Sequence, residues 1–312
     1  MGDIIYTTPV VRCLKLQIPD AEIHFLTKKQ FAYIYQQNPH LTKLHTLKES
    51  LSATIEQIKL EKFDLIVDLH NNLRTSIIKI RTGIKSLTYK KDRLSKFLVL
   101  KLRLKSFIDP RHLVDRYLEV VKPLGIVNDH QPIDYYINKS YEKAEFLPGT
   151  HQQKYVAFII GATHFTKRLP NYKIIEICKS IHLPVVLLGG PDVTENATEI
   201  VNAVGSNVFS TCGITNLDQS VFLVSQAHKV IGFDTGLTHI SEAFNKPLAS
   251  IWGGTTPELL GVQPYKISES LMAGIALACR PCSKFGLEKC PLEHFNCMKN
   301  IPNDTVVEFI NK

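Results

Sequence analysis

Residues 230–247 read VIGFDTGLTHISEAFNKP, an apolar run that turns at Asp234-Thr235-Gly236 into a helical pattern. Val230 to Phe233 have the character of a strand buried on both faces of a parallel sheet. Gly236 permits the backbone to approach a ligand closely, and the first free amides of the following helix make a seat for a phosphate. His239 falls in the first helical turn, placed to donate to a phosphate or sugar hydroxyl. The plainer reading makes Asp234 or Thr235 an N-cap and His239 a satisfied helix residue.

The same strand, loop and helix logic recurs outward from this point. AEIHFLT (21–27), DLIVDLH (64–70), KYVAFII (154–160), PVVLLGG (184–190), HKVIGFDTG (228–236) and PLASIWGG (247–254) are strand-like, and amphipathic segments separate most of them. This alternation predicts an α/β protein with parallel sheets. The runs form two sets, divided near EKAEFLPGTHQQ (142–153), where Pro148 and Gly149 lead into a polar linker. Two doubly wound, Rossmann-like domains follow, residues 1–148 and 152–312, with a central cleft. Ligands of such sheets sit at the carboxyl ends of the strands.

Three more strand ends carry chemistry. GATHFTKRLP (161–170) places Thr163, Lys167 and Arg168 after a glycine-bearing turn, and two adjacent cations suit a diphosphate leaving group. The Walker spacing of a P-loop is missing. LLGGPDVTE (187–195) offers Gly189, Gly190 and a carboxylate, Asp192 or Glu195, for ribose or adenine, although a turn plus N-cap accounts for it nearly as well. IWGGTTPELLG (251–261) adds glycines and hydroxyls. Four such loops in one domain imply a nucleotide-bearing ligand held by the C-terminal half.

At the other end, MGDIIYTTPVVRCLK (1–15) looks like a strand-to-helix junction, with Asp3 in the turn and Pro9 in the first helical turn. The strand that should precede it is absent, so the expectation is a start at an internal methionine or a variant that lost its first strand, and marginal stability. Asp3 faces the cleft in this reading and serves as general base for glycosyl transfer; its alternative role is to cap the helix after it.

The composition is that of an ordinary globular protein, 44% hydrophobic and 21% charged, and no apolar run suits a membrane span or a secretory leader. A cytoplasmic protein is expected. The formal charge of +8 concentrates between Lys79 and Lys105, where ten cations meet the single acid Asp92. Sparse aromatics and the lack of a nucleic-acid motif favour a membrane surface or an acidic substrate over nucleic acid, and a solvated helix face is the bland alternative. Cys13, Cys178 and Cys212 read as small buried hydrophobes. Cys279, Cys282, Cys290 and Cys297 have the ligand inventory for a structural zinc, but the C-x6-C spacing of the second pair fits a packed or redox-labile loop better.

Taken together, GDIIYTTPVVRCLKLQIPDAEIHFLT, GATHFTKRLP, DTGLTHI and CRPCSKFGLEKCP resemble glycosyltransferase family 9, the ADP-heptose:lipopolysaccharide heptosyltransferases. The resemblance implies two Rossmann-like domains in the GT-B arrangement, an inverting mechanism, no cofactor and no bound catalytic metal. It implies that Asp3 is the catalytic base, that Thr163 and Lys167 contact the donor, and that Asp234, Thr235, Gly236, Leu237 and His239 form the donor signature; Asp192 joins the donor-binding set from the reading of its own loop. Arg74, in HNNLRTS (70–76), and the basic region after it would meet a lipid A or core oligosaccharide acceptor at the inner face of the cytoplasmic membrane. Family members also carry a strand before the Gly-Asp and a Trp where this chain has Leu169. The same residues leave room for a sugar-nucleotide epimerase or hydrolase, or for a nucleotide-sugar-binding remnant without activity.

Overall fold

The structure, a computed structural model, describes residues 2–312. It divides into two compact units: one comprises residues 3–95 and 111–138, and the other comprises residues 96–110 and 139–312. The segment 96–110 is therefore a part of the second unit that the sequence places inside the first.

The first unit opens with a one-turn helix, α1 (Gly2–Ile5), and then α2 (Thr8–Gln17). Pro9 sits in the first turn of α2, where its missing N–H costs nothing. Asp3 is thus on α1 and not in an open turn, and the N-cap of α2 is Thr7, which makes no side-chain cap bond. Arg12, buried on α2, donates from Nε to Asp129 at 2.7 Å and also pairs with Asp134. β1 (His24–Thr27) and β2 (Lys43–Thr46) follow, then α3 (Leu51–Leu60), β3 (Ile66–Asp68), α4 (Leu73–Thr82) and β4 (Ser86–Thr88); α5 (Arg93–Leu102) begins in this unit but lies mostly in the segment that belongs to the second, and α6 (Leu113–Val121) returns to the first.

The expected single sheet of this unit is instead two parallel pairs, β1 with β2 and β3 with β4. In the strand order of a doubly wound sheet, the place between β1 and β3 belongs to the unit's first strand. Among the described residues only α1 and α2 precede β1, so nothing bridges the pairs.

The second unit contains β5 (Val156–Ile159), α7 (Asn171–Ser180), β6 (Val185–Leu188), α8 (Thr194–Val204), β7 (Val208–Ser210), α9 (Leu217–Gln226) and β8 (Lys229–Phe233). It continues through α10 (Gly236–Ser241), β9 (Leu248–Ile251), α11 (Pro257–Leu260), β10 (Ser270–Ala273), α12 (Asn296–Lys299) and α13 (Asn303–Asn311). Its six strands are all parallel, in the order β10-β9-β8-β5-β6-β7. β5 and β8 are neighbours, with Val156 opposite Lys229 and Ile159 opposite Gly232, and the chain winds outward from them in both directions. That is the topological switch point at which α/β sheets take ligands.

Every residue of β5, β6, β8 and β9 is buried, because helices cover both faces. Val306 and Ile310 of α13 belong to the same core as Phe158 and Leu187, so the chain's last helix is part of the domain's interior. Among the described residues no helix is long and apolar enough to cross a membrane.

Candidate active site

Asp234 follows the last residue of β8 and is the hub of a buried network. Its Oδ2 lies 2.6 Å from Lys167 Nζ and accepts from Thr255 Oγ1 at 2.8 Å, while Oδ1 lies 3.2 Å from His239 Nε2. Lys167 Nζ also donates to the Asp234 carbonyl at 3.2 Å. On the far side of the ring, His239 Nδ1 lies 3.3 Å from Glu242 Oε1, and Glu242 Oε2 accepts the Tyr265 amide at 2.9 Å. Lys167 comes from the loop after β5, Asp234 and His239 from the β8–α10 junction, and Thr255 from the loop after β9. Three adjacent strand ends thereby converge on one carboxylate.

The electrostatics follow from this geometry. Each imidazole nitrogen faces a carboxylate oxygen, an arrangement that suits the doubly protonated ring. Burial alone would lower the His239 pKa; the hydrogen bonds to Asp234 and Glu242 outweigh it and raise the value to about 9. Burial alone would raise that of Asp234, but the bond from His239 and the charge of Lys167 hold it well below the usual carboxylate range. Two cations and two anions cancel inside the site. Neither Lys167 nor His239 is spare positive charge waiting for an anion.

Local packing fixes these positions. A Cβ on Gly232 would meet Thr238 Oγ1 at 2.2 Å, so this glycine lets α10 fold back onto β8. Gly232, four residues before Gly236, thus answers a packing need between helix and strand, while Gly236 itself opens α10 behind the N-cap Thr235, which makes no side-chain cap bond. Leu237 is buried on the same helix. Thr166, beside Lys167, is clasped from two directions: its carbonyl accepts the Gly254 amide at 2.9 Å, and its amide and hydroxyl exchange bonds with Leu287 at 3.1 and 2.8 Å.

The other sequence candidates lie further out. Thr163 is exposed in the loop after β5. Arg168 donates from Nη2 to Asp192 at 2.7 Å and from Nε to the Ala162 carbonyl at 2.6 Å, so the Asp192 carboxylate is engaged by a cation. Leu169 is buried in the main core beneath the loop, so its packing partners are interior residues. In the first unit Asp3 is exposed on α1, and its charge reaches His70 and the buried Tyr117. Arg74 is exposed in the first turn of α4, behind a capping box in which Asn72 accepts from the Thr75 amide at 3.0 Å and Thr75 accepts from the Asn72 amide at 2.9 Å.

The cysteine-bearing tail does not present a preformed metal cage. Cys290 and Cys297 are buried and Cys279 and Cys282 half-buried, all free thiols. Among the described residues no three of the four bring their sulfurs within 4.8 Å of one another. Cys282 Sγ points to the Cys279 carbonyl at 3.4 Å, and Cys279 Sγ lies 3.9 Å from His294 Nε2. Cys13, Cys178 and Cys212 are buried as expected, and burial pushes the Cys178 thiol up to about 12.

Three participants escaped the sequence reading. Glu242 is 1% exposed and stands three residues after His239, a spacing that puts both on one helix face and could have flagged it. Thr255 lies in a hydroxyl-rich loop but nothing in the sequence singles it out. Arg280 is buried and donates to the carbonyls of Gly253, Trp252 and Thr255 at 2.6, 2.8 and 3.2 Å, bracing that loop. Beside it a cavity of about 600 Å³ is walled by Lys105, Trp252, Thr256, Glu258 and Arg280; none of the network residues lines it.

Comparison with known proteins converges on one family. A family model described as glycosyltransferase family 9 (heptosyltransferase) matches residues 51–293. Lipopolysaccharide heptosyltransferase 3 of Escherichia coli is 26% identical over 279 residues, 81% of each chain. Lipopolysaccharide heptosyltransferase 2 of E. coli K12 is 22% identical over 290 residues, 83% of this chain and 81% of the relative. Among solved structures, the E. coli ADP-heptose lps heptosyltransferase II superposes with a TM-score of 0.73 at 18% identity, covering 99% of this chain and 94% of the other. An E. coli heptosyltransferase solved with ADP gives 0.69 at 18%, covering 99% and 96%. The fold is the α/β fold of these GT-B enzymes.

Proposed function

The chain belongs to glycosyltransferase family 9, and from that premise we propose that it moves heptose, or a related sugar, from an ADP-sugar donor to a lipopolysaccharide core or lipid A acceptor with inversion. That it is a glycosyltransferase follows from the family; the donor and acceptor are our reading. The observation that carries it is the Asp234 carboxylate, buried and joined to Lys167, His239 and Thr255 at the switch point of the sheet. A nucleotide sugar seated there meets side chains whose positions are set before it arrives. Relatives named for ADP-heptose and for lipopolysaccharide support the choice of substrates.

In this mechanism Asp3 takes the proton of the acceptor hydroxyl as its oxygen attacks the anomeric carbon on the face opposite the diphosphate. The bond from that carbon to the diphosphate oxygen breaks, and ADP departs with the electron pair. Lys167 and Arg168 meet the charge that develops on the diphosphate, exchanging part of their contact with Asp234 and Asp192 for phosphate oxygens. Thr163 and the segment Thr235-Gly236-Leu237 line the donor. His239 keeps Asp234 ionised and oriented. Arg74 holds an anionic group of the acceptor.

The acceptor is a lipid, and the protein is proposed to work against the inner face of the cytoplasmic membrane. Leu94, Phe97, Leu102, Leu104 and Phe107 are exposed on and after α5, interspersed with Lys96, Lys101, Arg103 and Lys105. Exposed apolar side chains among cations suit an anionic bilayer surface.

Mass-spectrometric detection of sugar transfer from ADP-heptose to a deeply truncated lipid A acceptor tests the reading. Asp3→Asn should lower the rate by roughly 10²–10⁴-fold while ADP binding persists, the range a general base contributes. Undiminished turnover in that variant removes Asp3 from the mechanism, and absence of transfer by the parent chain with ADP still bound points to another donor sugar.

A further inference from the structure

A second cluster of chemistry-bearing side chains lies in the first unit, where no step of sugar transfer uses it. His24 is on β1, His45 on β2 and Glu61 at the carboxyl end of α3. The parallel register sets His45 opposite Leu26, two residues from His24, so the two rings are diagonal neighbours on one face of the pair. His24 Nδ1 and His45 Nε2 stand 2.9 Å apart, and the Glu61 carboxylate oxygens lie 3.9 Å from the first and 3.7 Å from the second. The histidine side chains are 10% and 6% exposed and that of Glu61 is 21%, so the group is shielded with one side open.

We propose that His24 Nδ1, His45 Nε2 and the Glu61 carboxylate form a binding site for a divalent transition ion of the zinc type, with the fourth position open to water. Two imidazoles and a carboxylate are a donor set for borderline ions, whereas magnesium and calcium want oxygen. A tetrahedral ion with metal–nitrogen bonds of about 2.0–2.1 Å sets its ligand atoms about 3.3 Å apart. The histidine nitrogens need to part by a few tenths of an ångström and the carboxylate to advance by about half an ångström, changes within the reach of side-chain rotation.

The surroundings are those of a ligating histidine. Gln57 Nε2 sits 2.8 Å from His45 Nδ1, while Gln57 Oε1 has no hydrogen-bond partner among the described residues. Turning the amide by half a rotation brings the oxygen to Nδ1, where it accepts the ring N–H and leaves the lone pair of Nε2 for the ion. Phe63 presents its ring to both imidazoles, at 4.9 and 6.3 Å between centroids, walling off water on that side. Lys43 Nζ lies 2.5 Å from Glu61 Oε1 and its side chain is half exposed. The ammonium occupies charge that an ion would use, and it is free to swing into solvent. A bound ion would tie β1, β2 and α3 together.

Cobalt(II) is the probe, added to the full chain after chelation and under reducing conditions, because its spectrum tells nitrogen and oxygen ligands from thiolate. The expected result is one saturable equivalent with tetrahedral visible bands and no thiolate charge-transfer band, lost in His24→Ala with the far-UV circular dichroism unchanged. Gln57→Leu should weaken that equivalent by about 10- to 100-fold, and Lys43→Met should tighten it. Equal cobalt uptake by His24→Ala and the parent, or bound cobalt that all carries the thiolate band of the cysteine tail, overturns the proposal. So does unchanged affinity in both Gln57→Leu and Lys43→Met.

Discussion

The strands of the second unit bury every residue of β5, β6, β8 and β9, whereas none of β1 to β4 buries more than one. The contrast extends to the chemistry. Asp234, His239 and Glu242 lie under 10% exposure at the end of a fully buried strand, while Asp3 and Arg74 stand exposed on α1 and in the first turn of α4. A side chain at the end of a strand that water does not reach inherits the strand's rigidity; one on an exposed helical turn is placed by little beyond its own backbone. The side chains proposed to serve the donor and the acceptor are thus supported by very different amounts of structure.

The strongest challenge to that contrast is Asp234→Asn. It removes the carboxylate charge that Lys167 and one nitrogen of His239 face, leaving His239 its contact with Glu242, and breaking a buried pair in this way costs about 3–5 kcal/mol. Urea denaturation should show that loss, with ADP binding gone; a change under about 1 kcal/mol would mean that the network is not the support described. Hydrogen exchange compares the units directly. Amides of β5 and β8 should outlast those of β1 and β3 on the order of a hundredfold, and equal protection would break the comparison.

A smaller effect should appear with pH. The folded pKa of His239 is raised from its ordinary 6.5 to about 9, so its contribution to stability is complete below about pH 6.5 and fades as pH climbs through 9. Asp234, held low, acts in the opposite sense and loses its contribution only in acid. The urea midpoint should fall between pH 7 and 10, and His239→Gln should flatten that fall. Least of all is the exposed Arg168–Asp192 pair. Arg168→Gln should change stability by about 0–1 kcal/mol and show itself mainly as a higher KM for the donor; a stability loss rivalling that of Asp234→Asn would erase the distinction between buried and surface charge.

How much of this could be read from residues alone varied in the same way. β5, β6, β8 and β9 were plain as apolar runs because both of their faces are covered. β2, β4, β7 and β10 give no such signal: KLHT, SLT, VFS and SLMA are short and half-exposed, with no run to see. Lys167, Asp234 and His239 were legible through their motifs. Glu242 was not, since a glutamate late in a helix ordinarily faces water, whereas here its carboxylate accepts the amide of Tyr265, a partner 23 residues away. The pairing of Lys167 and Arg168 with carboxylates was equally invisible, because both partners are distant in sequence.

The clasp on Thr166 has a consequence for how this chain can vary over time. Its carbonyl, amide and hydroxyl are bound by Gly254 and by Leu287, the latter 121 residues away, and a Cβ on Gly253 or Gly254 would strike Thr166 at 2.6 or 3.0 Å. Leu287 contributes only its main chain, so the side-chain coupling lies between Gly254 and Thr166, whereas Gly253 faces the Thr166 main-chain carbonyl and has no room for a side chain whatever stands at 166. Position 253 should therefore stay glycine in related sequences, and a side chain at 254 should be accompanied by a smaller residue at 166, while 287 is free to vary in side chain so long as its backbone keeps its place.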